Sequence, residues 1–183
     1  MVDQQFGPIT TIEAALQIVK PNSTIYLAEG IYTISVPITI PGLIFDRKDH
    51  ESKVYIVGND GPVINIVLNK GEFAIFKKII FIHSGVNINH RFIENAANEP
   101  KYCMKPSKQC IAEFQINPHC DCIFFIHSGG LILQSCQVTL KPLPKNMKSK
   151  VCAIYSMPNT LLNLNNCEFI GNETNHDSAV ICI

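Results

Sequence analysis

The chain has no tryptophan, only two arginines among its 183 residues (Arg47 and Arg91), and charged side chains at just 16%. Each scarcity excludes something. A nucleic-acid interface needs a basic stripe, with Arg for bidentate contacts. Here 15 basic residues balance 15 acidic ones and no stripe forms, so no nucleic-acid partner is expected. The lysines that do gather, in 101–108 and 141–150, read as solvated loops. No Asp-rich run supplies the six or more oxygens that calcium takes. Eighteen consecutive apolar residues occur nowhere; Lys77-Lys78 splits the best stretch, Phe73 to Ile82, so no membrane span is expected. The opening residues, Met1-Val2-Asp3-Gln4-Gln5-Phe6, have neither the basic start nor the apolar stretch of a secretory signal. This points to a cytoplasmic setting. In that setting the eight cysteines are reduced, small hydrophobes, and the glycosylation-like triplets at Asn22 and Asn172 are chance.

What the chain has in excess is apolar side chains, 46% of the total, enough for the core of one domain spanning 1–183. Thr10 or Thr11 can cap a short helix over 10–20, with Ile12, Ala15, Leu16 and Val19 on one face and Glu13 in the first turn. Beyond Pro21-Asn22 the pattern changes to strands, all but one of three to six residues, rich in Ile, Val and Phe and separated by turn residues. They are expected at Thr24–Leu27, Tyr32–Ile34, Val36–Ile40, Leu43–Phe45, Lys53–Val57, Val63–Leu68 and Phe73–Ile82. Others follow at Cys122–Ile126, Leu131–Leu133, Cys136–Leu140, Val151–Tyr155, Leu161–Leu164, Cys167–Ile170 and Ala179–Ile183. The stretch 86–121 is polar and poorly periodic, and reads as one long insertion.

Two self-similarities bear on how the strands combine. Ile79-Ile80-Phe81-Ile82-His83-Ser84-Gly85 returns as Ile123-Phe124-Phe125-Ile126-His127-Ser128-Gly129. More loosely, Phe76-x-x-Ile79-x-Phe81, Leu133-x-x-Cys136-x-Val138 and Leu164-x-x-Cys167-x-Phe169 share one apolar spacing. A sandwich of hairpins would need tight Asn-Gly turns, and only Asn59-Asp60-Gly61 comes near. A solenoid would return like positions at one coil's length. Leu133 to Leu164 fits one such step, and Phe76 to Leu133 fits one step enlarged by the insertion. If His83 and His127 are equivalent corners, they should stack on one face.

The run from Thr11 to Ile34, with its Gly30-Ile31-Tyr32 step, resembles the opening of right-handed parallel β-helix proteins of the pectin-lyase-like superfamily. Pro37 to Phe45 continues the pattern, and the Leu-x-x-Cys-x-Phe units resemble coils of its carbohydrate-binding and hydrolase repeats. Such coils also occur in non-enzymatic eukaryotic proteins, such as the F-box β-helix and SHC-binding spindle and testis proteins. The resemblance implies an all-β right-handed parallel β-helix, a solenoid whose N-terminal end is closed by the short α-helix. It reports fold better than activity. The final strand stops without a polar cap, which suggests a fragment of something longer or a partner over the last coil.

Site chemistry is sparse. Glycoside cleavage needs two carboxyls across the bond, but Asp46, Asp49, Glu51 and Asp60 read as turn residues, and Glu168 has no acidic neighbour. His-Ser pairs at 83–84 and 127–128 suggest nucleophilic catalysis, yet adjacent strand residues point to opposite faces. No catalytic residue, cofactor or enzyme activity is expected. Zinc has candidate ligands in Cys103, Cys110, His119 and Cys120, with His90 and Cys122 close by in sequence, although Cys120-x-Cys122 and the Cys103–Cys110 interval are not standard spacings. Cys136, Cys152, Cys167 and Cys182 read as stacked core side chains. The expected function is a structural or protein-interaction scaffold in a larger intracellular assembly, of a cytoskeletal or ciliary kind. The rival is a carbohydrate-binding or polysaccharide-cleaving β-helix, for which Tyr26, Tyr32 and Tyr55 form the one aromatic platform available.

Overall fold

The computed structural model describes residues 1–4, 8–58, 62–83, 121–140, 151–171 and 181–182. The helix is α1 (Ile12–Ile18), one turn shorter than the sequence suggests. Thr11 is its N-cap, with Oγ1 accepting from the Ala14 amide at 3.2 Å. Ile12 and Ala15 are buried in the main core, and Leu16 and Val19 pack against it. Glu13 reaches across to accept from the Ser35 amide and hydroxyl.

The strands are β1 (Thr24–Leu27), β2 (Gly30–Tyr32), β3 (Ile44–Arg47), β4 (Val54–Gly58), β5 (Ile64–Val67), β6 (Phe73–Lys77) and β7 (Ile80–His83). They continue as β8 (Asp121–Ser128), β9 (Gly130–Gln134), β10 (Gln137–Leu140), β11 (Val151–Ser156), β12 (Leu161–Asn165), β13 (Glu168–Ile170) and β14 (Ile181–Cys182). Three sheets result: β1-β3-β6-β9-β12, β2-β4-β7-β10-β13 and β5-β8-β11-β14, here called sheets 1, 2 and 3. Every pairing between these strands is parallel. From β3 onward the chain visits sheets 1, 2 and 3 in turn, then returns to sheet 1 beside the strand it left. The molecule is therefore predominantly β, with parallel strands and one short helix.

The inward residues alternate with outward ones, as a half-buried strand requires. Ile25 and Leu27 of β1, Val54 and Ile56 of β4, and Ala74 and Phe76 of β6 are all buried. The rings of Phe45, Phe76, Phe81 and Phe124, drawn from all three sheets, meet at the centre. Sheet 3 also carries a second buried cluster of Cys122, Phe125 and Cys152, with Tyr155 and Met157 packed against it. Phe125 and Tyr155 are register partners there, with stacked rings 5.4 Å apart.

The looser repeat is physically real. Phe76 pairs with Leu133 and Leu133 with Leu164 in sheet 1, while Phe81 pairs with Val138 and Val138 with Phe169 in sheet 2. The long interval between Phe76 and Leu133 is one step between neighbouring strands. Each unit turns from sheet 1 to sheet 2 through a residue in the left-handed region: Lys78 (φ 56°), Ser135 (φ 54°) and Asn166 (φ 51°). Their corners are tied by Lys78 N to Gln134 O at 2.9 Å, Ser135 N to Asn165 O at 2.8 Å, and Asn166 Nδ2 to Ser135 Oγ at 3.3 Å.

The closer repeat is not a structural one. His83 ends β7 in sheet 2, whereas His127 lies in β8 of sheet 3, so the expected stacking of the two does not occur. The sequence Phe73–Ile82, expected as one strand, is broken at Lys78-Ile79 into β6 and β7. Val36–Ile40 makes no strand. Pro37 has no amide to donate, and only Ile38 bridges, to Ile66. The expected insertion at 86–121 and the Asn59-Asp60-Gly61 turn fall outside the described residues, apart from Asp121, the first residue of β8.

Candidate functional site

Of the residues singled out from sequence, the zinc candidates Cys103, Cys110, His119 and Cys120, together with His90, Ser84 and Asp60, lie outside the described residues. Cys122 lies on β8, side by side with Cys152 of β11. Among the described residues, no group of three or more His, Cys, Asp or Glu side chains is placed to hold a metal.

His83 is buried between the register positions of Gly58 and Leu140. His127 is the extra residue of a β-bulge: Ile126 pairs with Ile66 but Ser128 with Val67. Its ring meets the Phe125 ring edge to face at 4.0 Å. Burial lowers its pKa from 6.5 to about 4, so it is neutral at pH 7.

The three tyrosines do not form a platform. Tyr26 is exposed on β1 of sheet 1. Tyr55 is half-buried on β4 of sheet 2. Tyr32 is buried, donating its hydroxyl to Ala28 O at 2.9 Å, with Val2 O also in reach at 3.3 Å. Burial, and after it the charge of Asp3, raise the Tyr32 phenol above its ordinary pKa, while the bond to Ala28 pulls the other way.

Cys136 is buried, and its thiol donates to Phe76 O at 3.3 Å. Burial pushes its pKa up to about 12, so it is no nucleophile. Cys167 follows it in the same corner position, half-buried against the core. The side chain of Cys182 is outside the description. Glu168 pairs with Gln137, whose amide nitrogen donates to its carboxylate at 2.7 Å, so no acid stands beside it in that register. Asp46, expected in a turn, is on β3 and accepts from the Arg47 amide.

One concave feature was not visible in the sequence. At the corners between sheets 1 and 2, two residues suffice to link β6 to β7 (Lys78, Ile79) and β9 to β10 (Ser135, Cys136). Between β3 and β4 the chain instead makes an excursion of six residues, Lys48 to Lys53. The Ser52 hydroxyl pins it by donating to Asp49 O at 2.8 Å. Under this excursion lies a cavity of ≈ 380 Å³, lined by Arg47, Ser52, Lys53 and Val54, the Lys78–Ile80 corner, Ser135 and Gln137. Among the described residues, three cations line it and no carboxylate does. The Arg47 Nε is buried without a hydrogen-bond partner. No local motif could have revealed it, because its residues come from three successive corners.

Comparison with protein-family models, with curated proteins and with solved structures returned no match. The chain's affinities therefore rest on its own residues and strand arrangement.

Proposed function

We propose that this protein is an interaction scaffold built on a right-handed parallel β-helix, serving inside a larger assembly of the cell. The order in which the chain visits sheets 1, 2 and 3 supports the helical reading, since a parallel strand pair needs a crossover and such crossovers are right-handed. The N-terminal resemblance to the pectin-lyase-like superfamily points the same way.

The observation that carries the scaffold reading is the outer edge made by β12, β13 and β14. Among the described residues each pairs on one side only. On these strands Leu162, Leu164, Phe169 and Ile181 are only partly buried, and Leu161 is 50% exposed. Half-covered apolar side chains on strands paired on one side suit coverage by an added strand, whether from further chain or from a protein partner; main-chain bonds then give affinity and alternate side chains give selectivity. A carbohydrate site would need acids or aromatics in an outward row. Among the described residues Tyr26 pairs with Asp46 and Phe125 with Tyr155, but the first row runs on into Lys77 and the second starts from Asn65, and Tyr32 is buried, so neither pair grows into a longer row of acids or aromatics.

The test is affinity purification of the protein from its own cells, beside a Phe169→Asp variant whose fold is checked by circular dichroism. A fixed protein partner retained by the wild type and lost by the variant is expected, with silence on glycan arrays and no cleavage of pectin-like polymers. Glycan binding or polymer cleavage would overturn the scaffold reading.

A further inference from the structure

We propose that the cavity beneath the Lys48–Lys53 excursion is a binding site for a small phosphorylated ligand, with Arg47, Lys53 and Lys78 holding the phosphate. This does not depend on the scaffold reading. Buried donors in proteins are almost always partnered, and one that is not calls for an explanation. Arg47 Nε is such a donor, and Arg47 lines a cavity. Its neighbours Lys53 and Lys78 share that lining and, among the described residues, neither has a carboxylate within ion-pair distance. Glu168 is bonded to the lining residue Gln137 but does not itself line the cavity.

The chemistry favours a tetrahedral dianion. An anion bound there would meet a guanidinium, two ammonium groups and the hydroxyl of Ser135, while the Ser52 hydroxyl stays committed to Asp49 O. A phosphate ester has enough charge and oxygens to engage them; a lone carboxylate has one charge and two oxygens. Val54, Ile79 and Ile80 give the same cavity an apolar wall. Its volume lies in the range of small-ligand pockets and exceeds what a bare phosphate would fill. The position is also rigid: Lys78 is held at a left-handed corner by its amide bond to Gln134 O, and Arg47 ends a paired strand.

The experiment is calorimetric titration of the purified protein with inorganic phosphate, phenyl phosphate and acetate at low ionic strength. Phenyl phosphate is expected to bind more tightly than phosphate, through the apolar wall. Acetate is expected to bind at least about tenfold more weakly than either. Arg47→Met keeps the stem and removes the donors. Lys78→Asn removes a charge at a corner whose left-handed backbone Asn accepts readily. Each should weaken phenyl phosphate about tenfold or more, while Lys20→Met, an exposed lysine outside the cavity, should leave it unchanged. Should Arg47→Met fail to fold, Lys78→Asn reads the same contact. Absence of phosphate and phenyl phosphate binding by the wild type, acetate binding as tight as phosphate, or undiminished affinity in a folded Lys78→Asn variant would each overturn the proposal.

Discussion

The ring of Phe76 stacks on that of Phe45, centroids 4.7 Å apart and planes 12° from parallel, across the register that joins β3 to β6. The stacking follows from parallel pairing, which sets like positions of neighbouring strands directly above one another. Phe76 then meets Phe81 of sheet 2 edge-on at 5.3 Å and Phe124 of sheet 3 at 5.9 Å. One side chain thus joins the three sheets.

Phe76→Ala should therefore cost about 3–5 kcal/mol, because it opens a cavity among rings that cannot all collapse into it. Phe76→Leu should cost much less, since Leu133 and Leu164 hold the next two places in the same row. Chemical denaturation of both variants measures the difference. Similar losses for the two would place Phe76 outside the shared core.

His127 gives the fold an acid limb. Its folded pKa of about 4 lies below the unfolded value of 6.5, so the unfolded chain binds the proton first as pH falls. The stability it contributes is complete above pH 6.5 and is lost between there and about pH 4. After allowance for its partial exposure the loss is on the order of 1–2 kcal/mol. Unfolding free energies across that window should show a shallower slope for His127→Gln than for wild type.

Cys136 and Tyr32 set the alkaline limb. Both have raised pKa values, about 12 for the thiol against 9.0 unfolded, so the unfolded chain loses protons first. Stability should fall as pH rises from about 9 toward 12. At pH 8 iodoacetamide should leave Cys136 unmodified in the native protein and label it in urea, as read by peptide mass spectrometry. Rapid native labelling of Cys136 would contradict its burial.

Gly129 enters β9 at φ 79°, and a Cβ there would meet Leu68 Cβ at 2.5 Å and two backbone oxygens at 3.0 and 3.1 Å. Gly71 holds the corresponding corner before β6 at φ 87°, with open space around it. Gly129→Ala should cost about 2–4 kcal/mol, combining backbone strain with overpacking, whereas Gly71→Ala should cost about 1 kcal/mol from strain alone. Thermal unfolding of the two variants separates the terms.

Phe76, Ile79 and Phe81 could be aligned with Leu133, Cys136 and Val138 from sequence because a two-residue corner keeps the inward positions at fixed offsets on either side. The corner itself was hidden. Lys78 is an ordinary residue in a left-handed conformation, inside a run that reads as continuous strand. The Ile-Phe-Ile-His-Ser-Gly repeat misled for a related reason. Alternating apolar residues suit any of the three sheets, so likeness of the strands did not fix which sheet each joined. The cavity was beyond reach because Arg47, Lys78 and Ser135 are adjacent only after three corners have stacked.

That stacking organises the whole core, and Val138 tests it directly. It is the middle residue of a row with Phe81 on one side and Phe169 on the other. Nuclear Overhauser contacts measured from the Val138 methyl groups should reach both rings in the same folded protein. Contacts to neither ring, or to residues of an antiparallel hairpin partner instead, would contradict the parallel order of the sheets.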